Sequence, residues 1–253
     1  MPTASDMKGK AALVTGAASG LGRATALALA RAGADVCIVD VNAAGLEETA
    51  ASVRALGVNA HVHASDLAVA ENCGAAVRTS VEAFGRLDAL CNVAGLIFFA
   101  HTTEMPAAQW EKTLAVNLSA PFYLCQAAIP HLLAQNGAIV NVTSSASFIG
   151  EAYVAAYCAS KAGLTQMTKA LAMEYIHKPI RINAVAPGGM ITGIVNSMKM
   201  PEDIDYALIK RFTPLRGVVD VDDVAEMIAF LASDAARAYH GACISVDNGI
   251  TAG

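Results

Sequence analysis

Two residues of one predicted helix, Tyr157 and Lys161, have the types and spacing of an acid–base pair. Residues four positions apart lie on the same face of a helix, and the apolar pattern after Lys161 is typical of an amphipathic helix. A free tyrosine ionises near pH ~10, so the ammonium would have to lower its pKa by about 3 units, which takes roughly 4 kcal/mol. Ordinary solvated helices carry the same pair, so the rest of the chain must decide between the two interpretations.

A glycine-rich turn near the start of the chain favours the functional interpretation. A buried strand is predicted over Ala11–Thr15, followed by Gly16, Gly20 and Gly22 and an alanine-rich helix to about Ala32. This order directs free backbone N–H groups and the positive helix end at a pyrophosphate. The three glycines would provide the tight turn, the close approach of the phosphates and the packing of helix on strand. The alternative is a loop that only turns the chain.

The second predicted strand, Asp35–Asp40, ends in an acid 18 positions after the last of these glycines. That spacing is close to the one expected for a carboxylate that binds the adenosine ribose. Such a carboxylate repels a 2′-phosphate, and neither Ser19 nor Val41-Asn42 offers a cation for one. We therefore predict NAD as the cofactor in preference to NADP. An aspartate at a strand end is otherwise often a turn residue.

The composition and net charge argue for a protein with a large core and against some classes of partner. The 253 residues are 55% hydrophobic and 15% charged, enough to bury a large core. The formal charge of −5 argues against nucleic-acid and anionic membrane partners. We find no signal-like N-terminal run and no stretch of ~18 apolar residues, so no membrane partner is predicted.

The cysteines and paired histidines do not predict a disulfide framework or a metal site. The cysteines lack CxxC spacing and several lie in apolar runs, which favours buried, reduced thiols in a cytoplasmic protein. His61 and His63 project from one face of a strand without a convergent third ligand, so we assign them a structural role. The six cysteines are Cys37, Cys73, Cys91, Cys125, Cys158 and Cys243.

The remaining pattern alternates strands with helices and contains no linker or repeat. This order predicts one doubly wound parallel sheet with helices on both faces, in one domain over residues 1–253, after a flexible lead-in at residues 1–10. Residues 190–215, rich in methionine at the start, are either a mobile lid over the substrate or packing helices. Further helices are predicted at Ala43–Leu56, Val69–Phe84, Pro106–Ala134 and Val221–Ser233, and strands at Val58–His63, from Leu87, at Ala138–Thr143, Ile180–Ala186 and Cys243–Asp247.

Several predicted strands end in residues suited to a ligand, since ligands bind at the carboxyl ends of parallel strands. Asp66 follows the third strand, although it could equally cap the next helix. Ser144 and Ser145 follow the fifth strand, thirteen and twelve residues before Tyr157. Asn117, inside a predicted helix, either takes part in the site or only braces the helix, and the residues alone do not rank the two.

Taken together, these motifs resemble the short-chain dehydrogenase/reductase family over nearly the whole chain. Thr15-Gly16-xxx-Gly20-x-Gly22 resembles its cofactor motif, Asn92-x-Ala94-Gly95 its turn after the fourth strand, Tyr157-xxx-Lys161 its catalytic motif and Pro187-Gly188 its nicotinamide-side turn. The chain departs from the family's usual pattern at Cys91-Asn92-Val93 and at Asp247-Asn248-Gly249. The resemblance implies a Rossmann-like sheet of seven parallel strands and assembly as a homotetramer.

The resemblance also implies roles. Tyr157 would be the acid/base, Ser144 would bind the substrate oxygen, Lys161 would lower the tyrosine pKa and bind the ribose, and Asn117 would hold a water beside Lys161. Ser145 has the less usual offset, and Tyr153 lacks the partner lysine. Implied cofactor contacts are Gly16, Ser19, Gly20, Leu21, Gly22, Asp40, Asp66, Leu67, Asn92, Ala94, Gly95, Tyr157, Lys161, Pro187, Gly188, Ile191 and Thr192.

The predicted function is NAD-dependent interconversion of a secondary alcohol and a ketone by hydride transfer. Ser144 and the mostly apolar Leu96, Phe148, Tyr153 and Met190 would line the substrate pocket, so an apolar or mixed substrate is expected. The alternatives are a regulatory protein that binds NAD without chemistry, which would need the glycine turn alone, and a purely structural domain that binds no cofactor.

Overall fold

A computed structural model describes residues 5–191, 200–214 and 216–252. Its described strands are β1 (Ala11–Thr15), β2 (Asp35–Asp40), β3 (Ala60–Ala64), β4 (Ala89–Asn92), β5 (Ala138–Val142), β6 (Arg181–Pro187) and β7 (Cys243–Val246). They form one seven-stranded sheet with the order β3-β2-β1-β4-β5-β6-β7, in which all neighbours are parallel. The fold is therefore the predicted Rossmann-like doubly wound sheet.

Apolar runs build the centre of this sheet. Every residue of β1, β4 and β5 is buried, as expected where helices cover both faces of a parallel sheet. The edge strand β3 is less buried and carries the two histidines. Because β1 lies between β2 and β4, the direction of winding reverses at β1, and the crevice at the carboxyl ends of β1 and β4 is where such sheets bind ligands.

The helices cover the two faces in two apolar clusters. The helices are α1 (Gly20–Arg31), α2 (Ala43–Arg54), α3 (Ala70–Phe84), α4 (Ala107–Leu114), α5 (Ala120–Ala134), α6 (Ala155–Glu174), α7 (Tyr206–Lys210) and α8 (Val221–Ala232). The larger cluster packs α1 and α8 on the sheet, and the smaller packs α3 and α5 on the opposite face.

The long helical region predicted from Pro106 to Ala134 is interrupted by one π-helical segment. Residues Ala115–Ser119 form this segment between α4 and α5, and it contains Asn117. Such widened turns are common at functional sites because they turn a side chain out of the regular helical register.

The predicted boundaries of most elements differ from the structure by one or two residues, and the predicted lead-in differs as well. The third strand begins at Ala60, two residues later than predicted. Met7, inside the predicted lead-in, is fully buried and its N–H donates to the Ala32 carbonyl at 2.8 Å. Met7 therefore anchors the lead-in to the domain, because its apolar side chain reaches the core, although Asp6, Lys8 and Gly9 beside it are exposed.

All six cysteines are free thiols, and burial raises the pKa of each. In the described part of the chain, no helix is both long and apolar enough to span a bilayer.

Candidate active site

A cleft of about 550 Å³ opens along the carboxyl ends of the strands. It runs from the glycine turn after β1 to the start of α6, and a cleft of this size is suited to a small organic ligand. Most of the predicted site residues line it: Gly16, Ser19, Gly20, Leu21, Gly22, Asp40, Asp66, Leu67, Ala94, Gly95, Leu96, Ser144, Tyr157, Lys161, Pro187, Gly188 and Met190.

The glycine turn requires its glycines. Gly16 and Gly20 have φ of +69° and +51°, a region that side chains other than glycine rarely adopt. A Cβ on Gly22 would lie 2.0 Å from the Gly16 carbonyl oxygen. Ser19 precedes α1 without a side-chain capping bond, so the first-turn N–H groups are left for a ligand. These unpaired donors at a positive helix end fit a pyrophosphate.

Asp40 ends β2 beside this turn. Its carboxylate accepts from the Ala18 N–H at 3.2 Å and the Asn42 N–H at 3.0 Å, which fixes it at the mouth of the cleft. A nearby cation, Arg23, is occupied: its guanidinium donates to the Ala18 carbonyl at 2.6 Å and pairs with Glu48 at 2.8 Å. The arrangement therefore presents an acceptor at this end of the cleft.

Ser144, Tyr157 and Lys161 meet at the other end of the cleft. The Lys161 ammonium lies 5.8 Å from the centre of the Tyr157 ring and donates to the Val142 carbonyl at 2.8 Å. Lys161 is only 3% exposed and Ser144 8% exposed. The three side chains come from the end of β5 and one face of α6, as the spacing predicts.

The pKa of the tyrosine differs from the prediction. Burial raises the pKa of Tyr157 to about 12, against a smaller lowering by its hydrogen bond with Ser144, and the negative charge of Glu151 raises it further. Burial likewise lowers the pKa of Lys161 to about 8, since an ammonium out of water is destabilised. In the protein alone, desolvation of the phenol sets the direction of the shift, which is opposite to the expected lowering.

Asn117 is used as a brace. Its amide oxygen accepts from the Leu96 N–H at 2.9 Å, and its amide nitrogen donates to the Leu96 carbonyl at 2.9 Å and to Ser160 Oγ at 3.1 Å. Both amide donors are therefore satisfied by the protein. A Cβ on Gly95 would lie 3.4 Å from Lys161 Nζ and 3.5 Å from Asn117 Oδ1, so this glycine leaves open the space between them.

Five of the predicted residues that the structure describes do not line the cleft: Asn92, Asn117, Phe148, Tyr153 and Ile191. The Asn92 amide is buried and donates to Asn141 Oδ1 at 2.8 Å, joining β4 to β5. Phe148 is 47% exposed and Ile191 70% exposed. Thr192 lies outside the described residues, as do residues 193–199 and 215 of the predicted lid.

Tyr153, predicted to line the pocket, instead joins two loops. With φ of +69°, it turns its hydroxyl to accept from the Asp205 N–H at 2.8 Å. Its ring packs edge-on against His101 at 5.2 Å, and His101 pairs with Asp203 at 2.8 Å. The left-handed backbone at Tyr153 directs its side chain to these loops and away from the cleft.

Sequence reasoning missed several residues that line the cleft. Glu151 lies between the serine and the tyrosine in the chain, and its position in that stretch was the available signal. The other missed residues with large side chains are Ile97 and Phe99, in the loop after β4, and Lys112 on α4. Phe212, which also lines the cleft, lies within the predicted lid.

Among the described residues, no group of three or more His, Cys, Asp or Glu side chains could hold a metal ion. Burial, and then the neighbouring His61, lowers the pKa of His63. Both histidines lie on the edge strand β3, and neither lines the cleft.

Comparison with known proteins agrees with this geometry. Residues 16–251 match the family model described as enoyl-(acyl carrier protein) reductase. The chain is 39% identical to D-threitol dehydrogenase from Mycolicibacterium smegmatis, over 97% of this chain and 94% of that protein. It is 38% identical to 2,5-dichloro-2,5-cyclohexadiene-1,4-diol dehydrogenase from Sphingobium indicum, over 99% of both. A short chain dehydrogenase from Mycobacterium paratuberculosis, solved bound to NAD, superposes with a TM-score of 0.90 at 26% identity, over 98% of this chain and 100% of that one.

Proposed function

The chain belongs to the short-chain dehydrogenase/reductase family, and on this premise we propose that it is an NAD-dependent oxidoreductase that interconverts a secondary alcohol and a ketone. One observation carries the proposal: Ser144, Tyr157 and Lys161 line the same cleft as the glycine turn of α1. A regulatory protein that only bound the dinucleotide would need the turn but not the three side chains.

Each of the three side chains has a separate role in the proposed reaction. Ser144 donates a hydrogen bond to the substrate oxygen and steadies charge that develops there. Tyr157 takes the proton of the alcohol during oxidation and returns it during reduction. Lys161 contributes the positive charge that favours the phenolate and a donor for a ribose hydroxyl. The nicotinamide, when bound, supplies the hydride acceptor or donor.

NAD is proposed as the cofactor in preference to NADP. Asp40 supports this choice because its carboxylate offers acceptors to ribose hydroxyls and repels a 2′-phosphate. Arg23 supports it too, since its guanidinium is held by Glu48 and by backbone carbonyls. The solved relative bound to NAD is consistent with the same cofactor here.

The substrate is proposed to be a secondary alcohol with a substantial apolar part. Leu96, Ile97, Phe99, Met190 and Phe212 line the cleft, which supports an apolar contact surface. The relatives named above are called dehydrogenases of compounds that carry alcohol groups.

The test is a panel of secondary alcohols and ketones, each assayed once with NAD(H) and once with NADP(H). Turnover is measured from the absorbance of the reduced cofactor. We expect turnover with NAD(H) that exceeds turnover with NADP(H). Cofactor binding without turnover across a broad panel would point to the regulatory protein, and no cofactor binding would point to a purely structural domain.

We also propose that the chain assembles as a homotetramer through α5 and α6. Large apolar side chains that are exposed on these helices support the proposal: Phe122 and Tyr123 on α5, and Met173 on α6. Light scattering coupled to gel filtration tests it, and a monomeric mass would contradict it.

A further inference from the structure

The cleft contains an acidic side chain that the proposed reaction does not use. Glu151 lies in the loop between β5 and α6 and lines the cleft together with Ser144 and Tyr157. It is partly buried, and its carboxylate accepts from Ser145 Oγ at 3.3 Å. Ser145 follows Ser144 in the chain, so the carboxylate lies at the end of the cleft where the substrate oxygen would bind.

The described residues leave the Glu151 carboxylate with few hydrogen-bond partners. In the described part of the chain, the Ser145 bond is the one hydrogen bond that its oxygens accept, and it has no ion pair. A carboxylate has about four acceptor sites, so most of those of Glu151 have no partner among the described residues. Partly buried charge without partners is costly, and such groups are typical of ligand-binding positions.

We propose that Glu151 determines specificity by hydrogen-bonding a second hydroxyl group of the substrate, so that the preferred substrates are alcohols with another hydroxyl near the reacting carbon. This inference rests on the proposed function, since it names the substrate class of the same site. The apolar residues of the cleft would then contact the carbon skeleton.

Two observations favour a hydroxyl over an ammonium as the partner. Burial raises the pKa of Glu151 to about 7, so at neutral pH the group is present in both protonation states. A hydroxyl can donate to the carboxylate and accept from the carboxylic acid, whereas an ammonium binds only the carboxylate. In addition, the Lys161 ammonium already lies in the same cleft and disfavours a second cation.

The test compares matched substrates with NAD. Wild type, Glu151→Gln and Glu151→Leu are assayed with trans-cyclohexane-1,2-diol, cyclohexanol and trans-2-aminocyclohexanol. We expect wild type to prefer the diol over cyclohexanol by about 10- to 100-fold in kcat/KM, as for a hydrogen bond to a charged group. Glu151→Leu should lose most of that preference by slowing the diol alone, and Glu151→Gln should retain part of it because an amide still hydrogen-bonds.

The control is Glu104→Gln, which removes an exposed acid that does not line the cleft and should leave the ratio unchanged. Equal kcat/KM for diol and cyclohexanol in wild type, or equal losses for both in the Glu151 variants, would overturn the inference and leave the proposed function standing. A preference for the amino alcohol would also overturn it. Failure of wild type to oxidise any secondary alcohol of the wider panel with either cofactor would overturn both proposals.

Discussion

The Lys161 ammonium donates to the Val142 carbonyl at 2.8 Å, so the lysine is tied to the last residue of β5, two positions before Ser144. This bond fixes the distance between helix α6 and the serine at the strand end. It also gives a nearly fully buried cation a partner, without which burial would be more costly.

Replacement of the lysine should therefore affect turnover more than folding. We expect Lys161→Met to lower kcat by at least about 100-fold, because the proton-transfer group loses its positive neighbour. The Val142 carbonyl would lose its partner, at a cost of about 1–3 kcal/mol, but an ammonium would no longer be buried. Steady-state kinetics and thermal unfolding measure the two effects. A kcat within about 3-fold of wild type would contradict the role of Lys161.

The Tyr157 phenol should titrate differently with and without cofactor. Since burial raises its pKa to about 12, no ionisation is expected below pH 10 in the protein alone. NAD⁺ carries a positive nicotinamide ring, which should lower the pKa because an opposite charge favours the phenolate. Phenolate absorbance of wild type minus that of Tyr157→Phe isolates the group. An identical titration with and without NAD⁺ would count against acid–base catalysis by this residue.

The same tyrosine variant separates binding from chemistry. Tyr157→Phe removes only the hydroxyl, so we expect kcat to fall by about 10²- to 10⁴-fold, the range for loss of a general acid–base. NADH binding, followed by fluorescence titration, should stay close to wild type. Lost binding would show that the hydroxyl is needed for the shape of the cleft.

Asp40 should control the choice between the two dinucleotides. Asp40→Asn removes the negative charge, so we expect the NAD/NADP ratio of kcat/KM to fall by about 10- to 100-fold. Glu47→Gln is the matched control, because Glu47 is an exposed acid on α2 outside the cleft lining. A wild-type enzyme that already prefers NADP would refute the cofactor assignment.

Alanine substitutions at two glycines should have opposite effects on stability. A Cβ at Gly22 would lie 2.0 Å from the Gly16 carbonyl oxygen, so Gly22→Ala should destabilise the fold by about 1–3 kcal/mol or more and abolish cofactor binding. Gly74, inside α3, would meet only the end of the Arg78 side chain. Gly74→Ala should therefore stabilise by about 0.5–1 kcal/mol. Denaturant unfolding measures both, and similar effects of the two changes would contradict the packing described for the turn.

Glu151 should leave a signature in the pH dependence of stability. Its pKa is raised from 4.5 to about 7 in the folded protein, so the folded state binds more protons between these values. The contribution of this group to stability is therefore present below pH 4.5 and is lost as pH rises through about 7. The unfolding free energy of Glu151→Gln should equal that of wild type at low pH and exceed it toward pH 7 and above. A pH-independent difference in unfolding free energy would contradict the burial of this carboxyl.

Local patterns predicted the sheet because most strand runs are apolar and most helices follow an amphipathic period. They also predicted the glycine turn and the grouping of Ser144, Tyr157 and Lys161. These residues lie either just after a strand or one turn apart on a single helix, so their positions depend on short stretches of sequence. They did not predict the raised pKa of Tyr157, which depends on burial by distant segments. Nor did they place Tyr153, whose left-handed backbone redirects the ring, or Glu151, which reaches the cleft through a loop conformation.

The six native thiols have a practical consequence for spectroscopy. With every thiol pKa raised by burial, little thiolate exists at neutral pH, and thiolate is the form that reacts with maleimides and iodoacetamides. A cysteine introduced on the solvent face of α2 would therefore react much faster than the native six. Fluorophores or spin labels could then be attached at one chosen position without first removing any natural cysteine.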